Sequence, residues 1–392
     1  MTANQKNKAA CFTLEGLNSF STILYFNYFY FFLHDKFGFD DKRRLAVAAL
    51  LGLIYTFVSW QAGKFAQRRG NFAALKLGFG LMLAGLAVGS QLDSALGQIV
   101  AANVVSLGMC FTWPVLEALI SEGETTEGLP RAVGLYNITW AATNAAAYFI
   151  GGTIIQAFGY HSIFYVPIVI LIVQLALTRW LQNHTQANAA HAAGKHAVPP
   201  PDPHRPSPAK ARSFQRMAWL ANPFAYIAIN TLIAVLPGVA AKFQLSPMLA
   251  GFACSLWCFA RLFAFIALWQ WTGWHYKFRW LVTAFALLIV SFAAILMVPS
   301  MPVMLLAQVF FGIAIGLIYY SSLFYAMDAS DTKSEHGGIH EAAIGAGNCL
   351  GPATGAAALW LAPQTAGIGA WAVSAMLMTG LGGLIWLRKM AK

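Results

Sequence analysis

Long runs of apolar residues, separated by short polar or turn-forming segments, follow one another along the whole chain. Six occupy the first half, at about 11–33, 45–66, 72–91, 96–119, 132–157 and 160–182. Six more occupy the second half, at about 219–242, 247–270, 280–298, 302–326, 340–361 and 368–388. Each run is close to the ~20 apolar residues with which a helix crosses a bilayer. The pattern predicts an all-α membrane protein with twelve transmembrane helices in two six-helix bundles.

The segment between the two sets, 183–215, is rich in alanine, proline and basic residues and has no apolar periodicity. This composition is typical of a flexible linker. It predicts an N-terminal bundle over 1–182, a linker, and a C-terminal bundle over 216–392. Four histidines lie in or beside the linker, without the spacing or acidic neighbours of a metal site: His184, His191, His196 and His204. No metal site and no cofactor are predicted.

Composition excludes several classes of protein. Hydrophobic residues make up 58% and charged residues 10% of the 392 positions, and the mean hydropathy is +0.60. Soluble domains carry about 25% charged residues, so a soluble enzyme and a disordered chain are both excluded. The five cysteines are an odd number within or beside apolar runs, which does not fit a disulfide framework. The polar N-terminus enters the first run without a small-residue cleavage site, so no removed signal peptide is expected.

The net charge of +11 would suggest a nucleic-acid partner in a soluble protein, but in a membrane protein it indicates topology. Lys and Arg collect in cytoplasmic loops. With both termini inside, 19 basic residues fall on the cytoplasmic side and 5 outside. The loop 34–44 is the one segment that does not follow this bias, because it places basic residues on the outer side. We therefore expect a multi-pass protein of the inner or plasma membrane, with cytoplasmic termini and no nucleic-acid partner.

An internal repeat supports the division of the twelve apolar runs into two sets of six. The segments 137–147 and 348–358 match at six of eleven positions with an offset of 211, and SWQAG at 59–63 precedes WQWTG at 269–273 by 210. The loops that follow the fourth run of each half are both acidic. Internal repeats of this kind are common in secondary transporters.

The stretch Gly63-Lys-Phe-Ala-Gln-Arg-Arg-Gly-Asn71 resembles the G-x-x-x-D-R-x-G-R-R/K sequence of the major facilitator superfamily. It keeps Gly63, Arg68 and Gly70, and has Gln67 in place of the family's acid. The resemblance extends through the six-linker-six layout over almost the whole chain. It implies two six-helix bundles with a substrate cavity between them near the middle of the bilayer. It also implies that Gly63, Arg68 and Gly70 form a cytoplasmic gating loop, whose charge relay Gln67 interrupts.

Drug/proton antiporters of that family have an arginine in helix four and a glycine-rich motif in helix five. Here the fourth run has no arginine, and the nearest motif, 347–355, lies in the eleventh run. These two differences argue against efflux of amphipathic drugs, whereas the many aromatic residues favour it, so drug efflux is an alternative to transport of a small solute. A receptor or assembly factor with a transporter fold is another. A membrane-embedded enzyme should have His/Asp or Ser/His pairs on adjoining helices, and the sequence contains no such pattern. It also lacks the phosphate-binding loop G-x-x-x-x-G-K-[ST], so direct use of ATP is not expected.

Arg261 is the one basic residue well inside a predicted span, and Trp257 lies one turn before it. A guanidinium can bind a carboxylate or phosphate through two parallel hydrogen bonds. We therefore predict an anionic or zwitterionic organic substrate that binds Arg261 and Trp257. The alternative is a structural ion pair between Arg261 and one of three acids.

These acids, Glu15, Glu117 and Glu341, lie in or at the ends of apolar runs. A carboxylate shielded from water can exchange a proton near neutral pH, so we predict that they couple transport to protons, as in a symporter. Solvated helix ends or salt bridges between the bundles are the alternative.

Other polar residues within the runs are predicted to line a substrate cavity, or else to bond helix to helix. They are Asn18, Tyr25, Tyr28, Asn137, Trp140, Asn144, Asn230, Tyr320 and Asn348. The expected partners are a small molecule, protons and lipid, and the expected oligomeric state is a monomer.

Overall fold

The structure is a computed structural model that describes residues 3–122, 124, 128–189, 207–329 and 333–391. Helices account for nearly all of these residues. The first half contains α1 (Ala3–Phe37), α2 (Asp41–Arg69), α3 (Asn71–Gly89), α4 (Ala95–Ser121), α5 (Leu129–Phe158) and α6 (Ser162–Ala189). The second half contains α7 (Pro208–Lys242), α8 (Pro247–Cys254), α9 (Leu256–Gln270), α10 (Phe278–Met297), α11 (Met301–Ala329), α12 (Lys333–Leu361) and α13 (Ile368–Met390).

Each predicted apolar run contains a helix, and the eighth run contains two, α8 and α9, which are divided at Ser255. Polar caps begin several of them, as at Asp40, Ser94 and Ser246, whose side chains accept a backbone N–H from the first helical turn. Proline follows Ser246 at the first helical position, where its missing N–H costs no hydrogen bond. These local signals explain why the helix positions could be predicted.

Within the described residues, nine helical spans are long and apolar enough to cross a membrane. The long helices that do not meet this criterion are α1, α5 and α12, and these helices carry many of the polar groups considered below. The chain is thus a multi-pass helical membrane protein. Polar residues needed inside the protein lower the mean hydropathy of the helices that supply them.

Helix α1 is longer than the apolar run predicted for it. Its polar first turns pack at the end of the molecule where α6 finishes and α7 begins, which we call the linker end. There the Lys8 ammonium donates to the Ile120 and Glu122 carbonyls, at 2.5 and 2.7 Å, and pairs with Glu124 at 3.2 Å. A cation at the last carbonyls of a helix complements the helix dipole. Glu15, expected at the start of this helix, therefore lies well inside it.

The interval predicted as a linker is partly helical, since α6 continues to Ala189 and α7 begins at Pro208. His191, His196 and His204 lie outside the described residues. His184 is described: its ring stacks on Trp180 at 5.0 Å, and its Nδ1 lies 2.8 Å from the Asn7 Oδ1. This histidine therefore joins α6 to α1.

The predicted gating loop is a one-residue turn. Gly63 and Arg68 lie within α2, and Gly70 alone separates α2 from α3. Gly70 has a φ of 89° and donates its N–H to the Ala66 carbonyl at 2.8 Å. A side chain is disfavoured at that positive φ, which is the physical reason for glycine here.

Two pairs of antiparallel helices join the halves along their length. Helix α2 packs against α12, with Gly52 at Asn348 and Gly345 at Thr56. Helix α5 packs against α8 and α9, with Gly152 at Pro247 near the end opposite the linker. Small residues allow helix backbones to approach closely. These two seams enclose the space between the halves on two sides.

Replacing Gly52 with alanine is expected to lower the melting temperature of the solubilised protein. The added Cβ would lie 2.4 Å from the backbone of Asn348 and Cys349, and overpacking of this kind costs about 1–3 kcal/mol. Gly80→Ala is the matched control, because a Cβ on Gly80 meets nothing within 4 Å. Equal melting temperatures for the two variants would contradict the close seam.

Candidate functional site

A cavity of about 190 Å³ lies between the halves. Its volume equals the liquid volume of about six water molecules. Among the lining residues that the structure describes, the charged ones are Arg261 and Glu341. The uncharged lining residues with a polar group include Thr22, Asn27, Tyr30, Tyr55, Ser106, Tyr136, Asn144, Tyr226, Asn230, Tyr319 and Asn348. The cavity therefore has the size and mixed lining of a site for a small solute.

Arg261 extends from α9 into the cavity lining and is 4% exposed. Its Cζ lies 4.5 Å from the ring centre of Trp140, on α5, and 4.8 Å from that of Trp257, one turn earlier on α9. Cation–π contacts of this kind stabilise a guanidinium that has left water. The cation is thus held between an indole of the first half and an indole of the second.

The guanidinium has no anionic partner among the described residues. Glu15, Glu117 and Glu341 are all described, and none lies within ion-pair distance of Arg261, so the structural ion pair considered from the sequence is not present. The Nε and Nη2 atoms of Arg261 and the Nε1 of Trp257 are buried without a hydrogen-bond partner. Three buried N–H groups on these two residues thus lack an acceptor, and an unpaired buried polar group is costly.

Trp140 is positioned by its own helix and by the second half. Its Nε1 donates to the Asn137 Oδ1 at 3.0 Å, and its ring packs edge-on against Phe265 at 5.4 Å and Tyr319 at 5.3 Å. In the row predicted on α5, Trp140 and Asn144 line the cavity, whereas Asn137 holds Trp140 from behind and borders a smaller cavity.

The three acids occupy different positions. The Glu341 Oε2 accepts a hydrogen bond from the Tyr55 hydroxyl at 2.6 Å, which joins α12 to α2 at the cavity lining. Glu15 is fully buried outside the cavity lining, with Oε1 accepting from Ser19 at 2.9 Å and Oε2 without a partner. Glu117 also lies outside the lining, although it interacts electrostatically with Glu341 and Glu15. Only Glu341 of the three can touch a solute in this cavity.

Asn230 and Asn348 lie together in the cavity lining. The Asn230 Nδ2 donates to the Asn348 Oδ1 at 2.5 Å, which joins α7 to α12.

Four other predicted binding residues do not line the cavity. The Tyr28 hydroxyl donates to the Tyr148 carbonyl at 2.5 Å, and the Tyr25 ring stacks on Phe29 at 5.5 Å. The Tyr25 ring also packs edge-on against Phe164 of α6 at 5.7 Å, within the first half, whereas the Tyr28 hydroxyl also lies beside Gly251 of α8. Asn18 is fully buried, and both of its amide atoms lack a partner. Tyr320 borders the smaller cavity, edge-on to Trp274.

The sequence reasoning missed several lining residues, among them Tyr55, Trp113, Tyr136 and Tyr226. One local signal was available, because Tyr226 precedes Asn230 by four positions and so shares its helix face. Tyr55 is an isolated polar ring within the apolar run of α2. Nothing in the spacing of α2 indicates that Tyr55 meets Glu341 of a distant helix.

Arg44 joins the halves at the end opposite the linker. It belongs to the loop 34–44, whose basic residues do not follow the expected bias of Lys and Arg toward the cytoplasmic side, yet it is 1% exposed. Its Nε donates to the Ala234 carbonyl of α7 at 2.9 Å, its Nη1 donates to the Phe39 carbonyl at 2.9 Å, and its Nη2 pairs with Asp41. This cation is therefore a structural contact between the halves rather than a surface charge.

Arg44→Met is expected to open the cavity toward the end opposite the linker, because the change leaves the Ala234 carbonyl without its donor. A cysteine placed at the lining residue Ala48, in a cysteine-free background, should then react several times faster with a membrane-impermeant thiol reagent. Arg43→Met is the matched control, since the neighbouring Arg43 is exposed. Unchanged labelling in Arg44→Met would show that Arg44 does not close this end.

A helical membrane protein with a polar and aromatic cavity between two halves has the architecture of a secondary transporter. The sequence profile of the Major Facilitator Superfamily matches residues 94–352. The chain belongs to this family. None of the curated proteins with which the sequence was compared matches it.

Solved transporters share the fold over nearly the full length. The human organic anion transporter MFSD10 (TETRAN) superposes with a TM-score of 0.66 at 13% identity, covering 99% of this chain and 100% of that one. A structure of proton dependent oligopeptide transporters gives a TM-score of 0.71 at 16% identity, with coverage of 100% and 98%. A bacterial homolog to the human lysosomal transporter Spinster, inward-facing and unoccupied, gives a TM-score of 0.64 at 11% identity, covering 100% of this chain and 96% of that one. At these identities the likeness establishes the fold alone.

Proposed function

We propose that this protein moves a small organic anion or zwitterion across the membrane by alternating access, and that Arg261 binds its carboxylate. The observation that carries the proposal is the unpaired guanidinium between Trp140 and Trp257. An arginine at the middle of a membrane helix costs about 2.5–3.5 kcal/mol even on the mildest scales. Since no described acid pairs with Arg261, binding of an anion would offset part of this free-energy cost.

The proposed working unit is one chain with twelve membrane crossings in two six-helix bundles, α1–α6 and α7–α13, joined by the predicted linker. Both termini are proposed to face the cytoplasm of an inner or plasma membrane. Alternating access requires contacts that can break separately at the two ends. The Arg44–Ala234 contact lies at one end, and the Tyr55–Glu341 contact lies on the linker side of the cavity.

We assign proton coupling to Glu341. It combines a place in the cavity lining with a hydrogen bond to the other half. Protonation would remove its negative charge beside the substrate and would weaken the bond from the Tyr55 hydroxyl. Glu15 and Glu117 are proposed to act through Glu341, as electrostatic neighbours, rather than on the substrate.

Reconstitution into liposomes tests the proposal. Uptake of labelled monocarboxylates, amino acids and lipophilic cations would be measured with and without an imposed pH gradient. Accumulation of an anion or zwitterion that follows the gradient would support it. Transport confined to lipophilic cations would favour drug efflux instead. Absence of any flux, together with a co-purifying protein partner, would favour a receptor or assembly factor.

A further inference from the structure

The lining of the cavity restricts the chemistry of its occupant further than the charge of Arg261 does. Nine of the twenty-five lining residues are aromatic, against 14% in the whole chain. We infer that the substrate is a small aromatic monocarboxylate, an inference that rests on the proposed function and narrows it.

The first argument concerns the number of carboxylates. The Arg261 Nε and Nη2 both lack a partner, and one carboxylate can accept from this pair through two parallel hydrogen bonds. Among the described residues of the lining, Arg261 is the one cation and Glu341 is the other charged group. A second carboxylate on the substrate would lose its water without gaining a cation, and Glu341 would repel it.

The second argument concerns the body of the substrate. The rings come from both halves: Phe26 from α1, Trp113 from α4, and Tyr226 and Tyr319 from α7 and α11. Trp113 and Trp140 are already edge-to-face, with ring centres 6.5 Å apart. Such walls accept a further ring edge-on or offset, which favours an aromatic body over a saturated one of equal size.

The third argument concerns size. A cavity of about 190 Å³ lies below the roughly 300–1,000 Å³ of sites for drug-sized ligands. This volume holds a single ring with a short acidic side chain. Larger amphipathic drugs exceed it.

Four matched probes test the inference by thermal shift and by binding to the purified, full-length protein. They are 3-phenylpropionate, its saturated analogue 3-cyclohexylpropionate, the dicarboxylate phenylsuccinate, and the cation 3-phenylpropylamine. We expect 3-phenylpropionate to bind roughly two- to tenfold more tightly than the cyclohexyl compound. Phenylsuccinate should bind about tenfold more weakly or worse, and the amine should not bind.

Substitutions of aromatic residues in the cavity lining test whether these rings cause the preference for the phenyl compound. Trp113→Leu and Phe26→Leu should each reduce the preference for the phenyl over the cyclohexyl compound toward one, while Arg261-dependent binding persists. Trp371→Leu is the control, because Trp371 is 59% exposed and lies outside the cavity. A preference that survives both wall variants would overturn the inference.

The outcomes separate this inference from the proposed function. If saturated or dicarboxylic anions bind as tightly as 3-phenylpropionate and require Arg261, the aromatic class is wrong and the anion site stands. If none of the three carboxylates binds, the aromatic monocarboxylate is wrong. If the amine alone binds, the proposed anion site is overturned as well.

Discussion

Replacing Arg261 with alanine is expected to weaken binding of the transported anion by roughly thirtyfold or more, because truncating one partner of a buried charge pair costs at least about 2 kcal/mol. The empty protein should not lose stability. In the unliganded structure the guanidinium has two nitrogens without partners, so the variant removes a desolvated cation that no described carboxylate neutralises. A large loss of binding with an unchanged or higher melting temperature is therefore the expected signature.

Two further variants make this experiment decisive. Arg261→Lys keeps the charge but loses the planar pair of donors, so binding should fall less than in the alanine variant. Arg279→Ala is the control for removing a cation beside an indole, since the exposed Arg279 lies 5.7 Å from the Trp280 ring. Arg261→Ala with wild-type binding and uptake would refute the site.

Glu341→Gln is expected to abolish accumulation driven by a pH gradient while leaving exchange of substrate for substrate. The amide keeps the shape of the side chain and can still accept from the Tyr55 hydroxyl, but it cannot carry the proton. Exchange does not require that proton, because the loaded carrier reorients in both directions. Counterflow and gradient-driven uptake, measured in the same liposomes, separate the two steps.

Glu124→Gln serves as the control, because Glu124 pairs with Lys8 at the linker end, away from the cavity. Tyr55→Phe removes the hydrogen bond across the seam but leaves the carboxylate, so it should keep coupling and alter the rate. If Glu341→Gln still accumulates substrate along the gradient, the coupling group is elsewhere. Glu15→Gln and Glu117→Gln would then be compared.

The class of protein and the positions of its helices could be predicted from the sequence. A helix in lipid makes all its backbone hydrogen bonds within itself, so it corresponds to one local run of apolar residues of the same length. Arg261 was likewise visible, since a single charge within a span stands out against apolar neighbours. The structure shows which indole of the first half it meets, and that it has no acidic partner among the described residues.

The tertiary structure alone decided which polar residues share the cavity. Tyr25, Tyr28 and Asn18 lie on a helix that also supplies Thr22 and Asn27 to the lining, so the outcome depends on how that helix is rotated. Among the acids, Glu341 reaches the cavity because α12 lies along α2 and meets Tyr55, 286 positions earlier in the chain. Arg44, a surface charge by its sequence, is buried because α7 supplies the Ala234 carbonyl. Helix formation depends on neighbours in the chain, whereas a site between two halves depends on the packing of distant segments, which local periodicity does not encode.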